Sequence, residues 1–210
     1  ALREGGLDAA ARVVEHAHRR AMDSVQALRG TAEIGGNCIE VEAHGQSILL
    51  DLGMPLSGNW TPGEALPPVP GLLDGNNPAL LGIVISHPHA DHYGLVGHVH
   101  LSIPIYIGLE AEKLLRAAAS FSPFGLQLSN AVHYKPGAPF TIGPFTITPY
   151  LVDHSAFDAY ALLIEANGLR LFYSGDLRES IFYGFPPSGD AGWESFNGFN
   201  SASPKIEWRL

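Results

Sequence analysis

Hydrophobic and polar positions recur with two different periods along this chain. Leu7, Ala10, Val14, Ala17, Ala21, Val25 and Leu28 follow three- and four-residue steps, the spacing of one helix face. The pattern predicts a helix over residues 7–29, stopped by Gly30, that packs against the rest or pairs with a second copy. From residue 32 the period shortens. Residues 32–43 and 47–52 read as paired strands, with His44-Gly45-Gln46 as the turn. Residues 54–78 are rich in Pro and Gly around Trp60; a stretch of that kind is usually a lid, a binding loop or disorder. It follows the strand that ends at Asp51, which puts it on the substrate side. Leu80 to Ile85 and Ile103 to Ile107 are short apolar runs between polar residues, as in buried strands. Glu110 to Ser120 is Ala-rich and helical in pattern. Phe140 to Val152, broken at Gly143-Pro144, reads as a strand pair, and Asn167-Gly168 marks a hairpin between residues 159–165 and 169–174. Strands with interspersed helices indicate an α/β or α+β sandwich.

Length and composition narrow the class. The chain has 210 residues, enough for one sizeable domain. Its longest apolar runs are too short to span a bilayer, and the first residues show no apolar leader region. The lone cysteine, Cys38, lies in a strand-like run and reads as a small buried residue in a protein of the reducing cytoplasm. Net charge is −9, and it is concentrated in the middle. Residues 31–177 contain four basic residues (Lys113, Arg116, Lys135, Arg170) against thirteen acidic ones, which leaves little for a large phosphate-binding face.

The chemistry concentrates in Ser86-His87-Pro88-His89-Ala90-Asp91-His92-Tyr93-Gly94. In extended backbone, side chains two apart share a side, so His87 and His89 can grip one divalent ion as neutral imidazoles. Asp91 and His92 are adjacent and must diverge, so they can face a second ion. Two further candidates sit at later strand ends: His154, after residues 147–153, and Asp176, in Tyr173-Ser174-Gly175-Asp176. His98, His100, His133, His16, His18 and His44 read as non-ligands. The chain has no G-x-S-x-G elbow, P-loop or dinucleotide fingerprint.

An H-x-H-x-D-H run after a strand, then a later His and a later Gly-Asp, resembles the metallo-β-lactamase superfamily. The wording is closest to its RNA-processing branch, the RNase J-like and β-CASP proteins, which also show stretches like Glu33 to Asn37, Leu50 to Gly53 and Val152 to Ser155. The resemblance implies an αββα sandwich, incomplete at its C-terminus. It divides the chain into a helical extension (1–30), a metallo-β-lactamase-like core (31–177) and an atypical tail (178–210). It further implies that His87, His89 and His154 hold one ion, that Asp91 and His92 hold a second, that Asp176 bridges them, and that Asp51 steadies the site from behind. Asp91 and Asp176 are then the catalytic carboxylates. The expected cofactor is Zn2+, one or two ions, with Mn2+ or Fe as alternatives. The chain also departs from the family pattern. The superfamily normally supplies one more His to the second ion, after the bridging Asp, and no histidine follows His154 here. The β-CASP insertion is absent as well.

Three functions follow as expectations. The first is zinc-assisted hydrolysis of phosphodiesters of the RNA type. The second is hydrolysis of a β-lactam, lactone or ester. The third is a metal-binding remnant without activity. The partners expected are a small-molecule or nucleic-acid substrate and a second copy of the chain, through the N-terminal helix or exposed core, with no membrane.

Overall fold

The fold, a computed structural model, is described for residues 22–30, 35–176 and 206–209. Two sheets carry it. The first runs in spatial order β1 (Met22–Arg29), β2 (Cys38–Ala43), β3 (Gln46–Leu50), β4 (Leu80–Val84), β5 (Ile105–Gly108) and β6 (Ala131–Tyr134). Its first three strands are antiparallel neighbours, and β3 to β6 are parallel. The second sheet is antiparallel, in the order β11 (Ile206–Arg209), β10 (Leu169–Tyr173), β9 (Tyr160–Ala166), β8 (Phe145–Leu151) and β7 (Phe140–Ile142).

Strand alternation builds the core. Ile39, Val41, Ile48, Leu50 and Val84 from the first sheet meet Phe145, Ile147, Leu162, Ile164, Leu171 and Tyr173 from the second in one buried cluster. The intervening residues point the other way. Cys38, Leu49, Ile83, Ile105 and Ile107 pack on the outer face of the first sheet, under helix α3 (Leu109–Ala118) and the 3-10 turn Val96–His98. On the far face of the second sheet, Ala161, Leu163 and Phe172 form a third cluster. Helix, sheet and sheet thus stack in the order that an αββα sandwich requires. Among the described residues no helix is long and apolar enough to cross a membrane.

The expected helix over residues 7–29 is corrected where it can be seen. Residues 22–29 form β1, paired with β2 from Met22↔Ala43 to Arg29↔Cys38; residues 7–21 lie outside the described residues. Helix propensity is a weak prior, and β2 offers a full edge of backbone donors and acceptors. Val25 packs on the inter-sheet cluster and Leu28 on the outer one, the opposite faces that residues three apart take in a strand. The boundary expected at residue 30 therefore cuts through a sheet. The tail expected at 178–210 lies outside the described residues except for β11.

The loop at 54–78 holds more structure than expected. Glu64 reaches back over the start of a short helix, α1 (Pro62–Ala65), where its carboxylate accepts from the Thr61 amide and hydroxyl at 3.0 and 2.6 Å. Ala65, Val69 and Leu72 then enter the outer core.

Candidate metal centre

The parallel strands β3 and β4 end side by side, and in open α/β sheets the crevice beyond the carboxyl ends of strands is the usual place for ligands. Asp51 leaves β3 and Ser86-His87 leaves β4. The motif turns into a single helical turn, α2 (Ala90–Tyr93). Backbone bonds lace this turn to the end of β3: Leu52 N–H donates to His92 O at 2.8 Å and Met54 N–H to Ala90 O at 2.9 Å. In the second sheet β8 and β10 both run antiparallel to β9, so their ends, leading to His154 and Asp176, share one edge. Tyr160 N–H donates to Ser86 O at 3.0 Å and joins the two sheets there.

The six residues singled out from sequence converge. One ligand atom from each of His87, His89, His154 and Asp176 lies within 4.8 Å of the others, and Asp91, His92 and Asp176 form a second such group. Asp176 belongs to both. His89 Nδ1 and His154 Nε2 are 3.1 Å apart, close to the roughly 3.3 Å between two nitrogens held at ~2.0 Å by one tetrahedral ion. His92 Nε2 stands 3.4 Å from Asp176 and 3.9 Å from Asp91.

Behind these groups Asp51 acts as a hub. It is fully buried and takes four donors: the Ser86 amide (2.6 Å), the Ser86 hydroxyl (2.7 Å), His92 Nδ1–H (2.6 Å) and the Tyr173 hydroxyl (2.5 Å). His92 is thereby held as the tautomer whose Nε2 faces the centre. Ser86 Oγ in turn accepts from His87 Nδ1 at 3.0 Å, which leaves His87 Nε2 as a buried nitrogen without a hydrogen-bond partner. A buried imidazole nitrogen, freed of its proton and aimed at three other donors, suits a divalent cation.

The electrostatics agree. Burial, and next to it the rings of His92, His154 and His89, hold His87 far below the usual histidine range, so it stays neutral. Burial also opposes charge on His92, but Asp51 and Asp176 outweigh it and raise its pKa to about 10. For Asp176, burial favours the protonated form; the hydrogen bond and charge of His92, with His154 and His89, overcome this and hold the carboxyl below its ordinary value. Burial and Asp51 keep the Tyr173 hydroxyl protonated, as its donor role requires.

Among residues read as non-ligands, His98, His100, His133 and His44 are exposed and lie outside both groups; His16 and His18 lie outside the described residues. Cys38 is a free, buried thiol, and burial pushes its pKa up. Sequence reasoning missed Ser86, Tyr173 and Asn37. Ser86 and Tyr173 partner Asp51 across 35 and 122 residues, and no local pattern marks such pairs. Asn37 is buried, with its side-chain nitrogen 2.8 Å from His92 Nε2.

Comparisons with known proteins point the same way. Residues 48–182 match a family model described as a β-lactamase superfamily domain. Over 157 residues, 71% of this chain, the sequence is 29% identical to a ribonuclease J of Sinorhizobium meliloti, of which it covers 28%. The chain spans about a quarter of the length of the curated relatives it matches. Among solved structures, a protein of unknown function from Enterococcus faecalis V583 superposes with a TM-score of 0.62 at 22% identity, covering 73% of this chain and 43% of that one. The MIM-2 metallo-β-lactamase superposes with a TM-score of 0.54 at 16% identity, over 74% and 59%. These structures share the fold.

Proposed function

The chain belongs to the β-lactamase superfamily, and on that premise we propose that it is a metal-dependent hydrolase acting on phosphodiesters of the RNA type. The observation that carries the reading is the pair of donor groups that share Asp176. His87, His89, His154 and Asp176 would hold one ion, and Asp91, His92 and Asp176 a second. When bound, divalent ions of this kind supply Lewis acidity and a coordinated water whose pKa falls to about 7. The nitrogen-rich first set suits zinc; manganese and iron accept the same ligands.

The chain's own groups have separable tasks. Asp51, through Ser86 and His92, fixes which ring nitrogens face inward. Asp91 and Asp176 are the carboxylates that reach solvent, with side chains 19% and 18% exposed, so either can orient an attacking water or take its proton. Asp91 lies near the 54–78 loop, since a Cβ placed on Gly35 would touch both Leu56 and Asp91. That proximity supports a role for the loop in contacting substrate. The buried thiol of Cys38 suits a cytoplasmic setting.

Phosphodiester substrates are favoured by the similarity to ribonuclease J. One observation favours small lactams, lactones or esters as a second reading. Lys113 pairs with Glu110, Arg116 with Glu112 and Arg170 with Glu165, so three of the four cations in residues 31–177 are already matched by acids. The test is a panel of labelled RNA, bis-p-nitrophenyl phosphate and a chromogenic cephalosporin, each with zinc or manganese. Cleavage of the two phosphodiesters is expected. Turnover of the cephalosporin alone would establish the second reading, and silence on every substrate would leave a metal-binding remnant.

A further inference from the structure

We infer that Trp60 and Arg29 form a subsite for one unpaired nucleotide beside the metal centre, the indole stacking on its base and the guanidinium gripping its phosphate. The inference deepens the phosphodiester reading above and rests on it. It narrows the substrate to single-stranded nucleic acid, because a base already paired and stacked in a duplex has no open face to offer.

Both members of the pair are tied to the rim of the centre. On the loop side, Gly36 N–H donates to Met54 O at 3.0 Å and Gly35 bridges to Pro55. A Cβ on Gly35 would stand 2.6 Å from Leu56 Cγ and 3.2 Å from Asp91 Cβ. The segment that leads to Trp60 therefore starts against Asp91, a member of the second donor group. Gly58, at φ +90°, then turns the chain so that the indole folds back over it: a Cβ there would stand 2.7 Å from Trp60 Nε1. The indole N–H donates to Ser57 O at 2.5 Å. On the strand side, Arg29 ends β1 opposite Cys38. Its neighbour Gly30 lies against Asn37, where a Cβ would stand 3.0 Å from Asn37 Cα, and Asn37 Nδ2 is 2.8 Å from His92 Nε2.

The pair's own geometry suits a nucleotide. Arg29 Cζ stands 5.3 Å from the centroid of the Trp60 ring, a cation–π distance. The guanidinium backs one face of the indole, yet Trp60 remains 49% exposed. A ring fixed at its N–H and backed by a cation loses little side-chain freedom when a second ring stacks on it. A guanidinium stacked on an aromatic ring keeps its donor edge for a phosphate, which it can hold with two parallel hydrogen bonds. Charge balance points the same way. Lys113, Arg116 and Arg170 each face a glutamate, whereas no described carboxylate pairs with Arg29. An aromatic face for the base and a cation for the backbone are the elements with which proteins hold single strands. One such pair serves one nucleotide, and it needs no extended basic surface.

The experiment measures, by fluorescence anisotropy in the presence of zinc, the affinity of the full chain for a phosphorothioate-linked single-stranded oligoribonucleotide, which resists cleavage. An abasic strand of the same length and a duplex are the controls, and thermal melts confirm folding of each variant. The wild type is expected to prefer the base-bearing single strand to both controls. Trp60→Ala should bind that strand about 10–100-fold more weakly and the abasic strand as the wild type does. Trp60→Phe, which keeps a ring face, should recover most of the loss. Arg29→Ala should weaken both single strands and flatten their salt dependence. A wild type with no preference for the base-bearing strand, or a folded Trp60→Ala variant that loses nothing or loses equally on both strands, would overturn the inference. Turnover of bis-p-nitrophenyl phosphate by the same wild-type preparation separates the two readings. If it is cleaved while the binding preference is missing, only the subsite falls; if a cephalosporin alone is cleaved, the phosphodiester reading falls and takes the subsite with it.

Discussion

Replacing Asp51 with Asn tests the hub without stripping it. Asp51 sits at φ 60°, a left-handed conformation that Asn tolerates as well as Asp, so the backbone carries no new strain. Asn keeps one acceptor for the Ser86 amide, now at 2.6 Å. Its NH2 end, however, faces three former donors: the Ser86 hydroxyl, His92 Nδ1–H and the Tyr173 hydroxyl. The hydroxyls can turn and accept, and His92 can switch tautomer, but the NH2 has two hydrogens for three partners, so one bond is lost outright and the others become neutral. At about 1 kcal/mol lost per bond the cost is about 3 kcal/mol. For a chain of this size that lowers the melting temperature by about 6–12 °C, against a total stability on the order of 5–15 kcal/mol. The tautomer switch has a second effect: it moves the His92 proton to Nε2, the nitrogen meant for the ion. Second-equivalent metal affinity should fall about 10–100-fold. The first equivalent should fall less, because His87 meets Asp51 only through Ser86. Circular dichroism melts in chelator and metal titration read the two effects separately. An unchanged melt together with unchanged affinities would refute the hub argument.

Other expectations follow from the same geometry. His87→Ala should lose bound metal and hydrolysis together, measured by elemental analysis after exhaustive dialysis; full metal content would refute its role. The metal-free protein should show a His92 effect on pH. Its pKa is raised to about 10, above an unfolded value of about 6.5, so its stabilising contribution is complete below about pH 6.5 and is lost as pH rises through 10. A cation must displace this proton, so second-equivalent affinity should climb about tenfold per pH unit from about pH 7 towards 10; titrations in buffers of different ionisation enthalpy should record about one proton released, and buffer-independent heats would count against it. Gly53→Ala should disrupt fold and metal binding together, because its Cβ would stand 1.6 Å from Asp91 O and 2.8 Å from Asn37 N. Gly45→Ala is the control, with nothing within 4 Å and only a left-handed φ to cost about 1 kcal/mol; equal melts for the two variants would contradict the crossing of these backbones at Gly53.

Much of this centre was legible in the sequence because its chemistry is local. His87, His89, Asp91 and His92 fall within six residues, and these residue types at such spacing have few uses besides metal. His154 and Asp176 were legible as strand ends, since alternation marks β8 and β10 clearly. The strand β1 was not. Its small and polar residues, Ser24, Gln26 and Ala27, carry no firm period, and only the open edge of β2 decides their conformation. Nor were Asn37, Ser86 and Tyr173, whose roles exist only once distant chain segments meet at Asp51 and His92. The short helix in the 54–78 loop was hidden by its Pro-Gly content, although the Thr61 and Glu64 spacing is itself a capping signal.

The central claim is that His87, His89, His154 and Asp176 grip a divalent cation together. Anomalous scattering at the zinc edge, from crystals of the protein grown with zinc, tests it most directly. A peak in contact with all four residues is expected, with a second one sharing Asp176 with Asp91 and His92. A map whose zinc peaks lie away from these residues, or one with none, would contradict it.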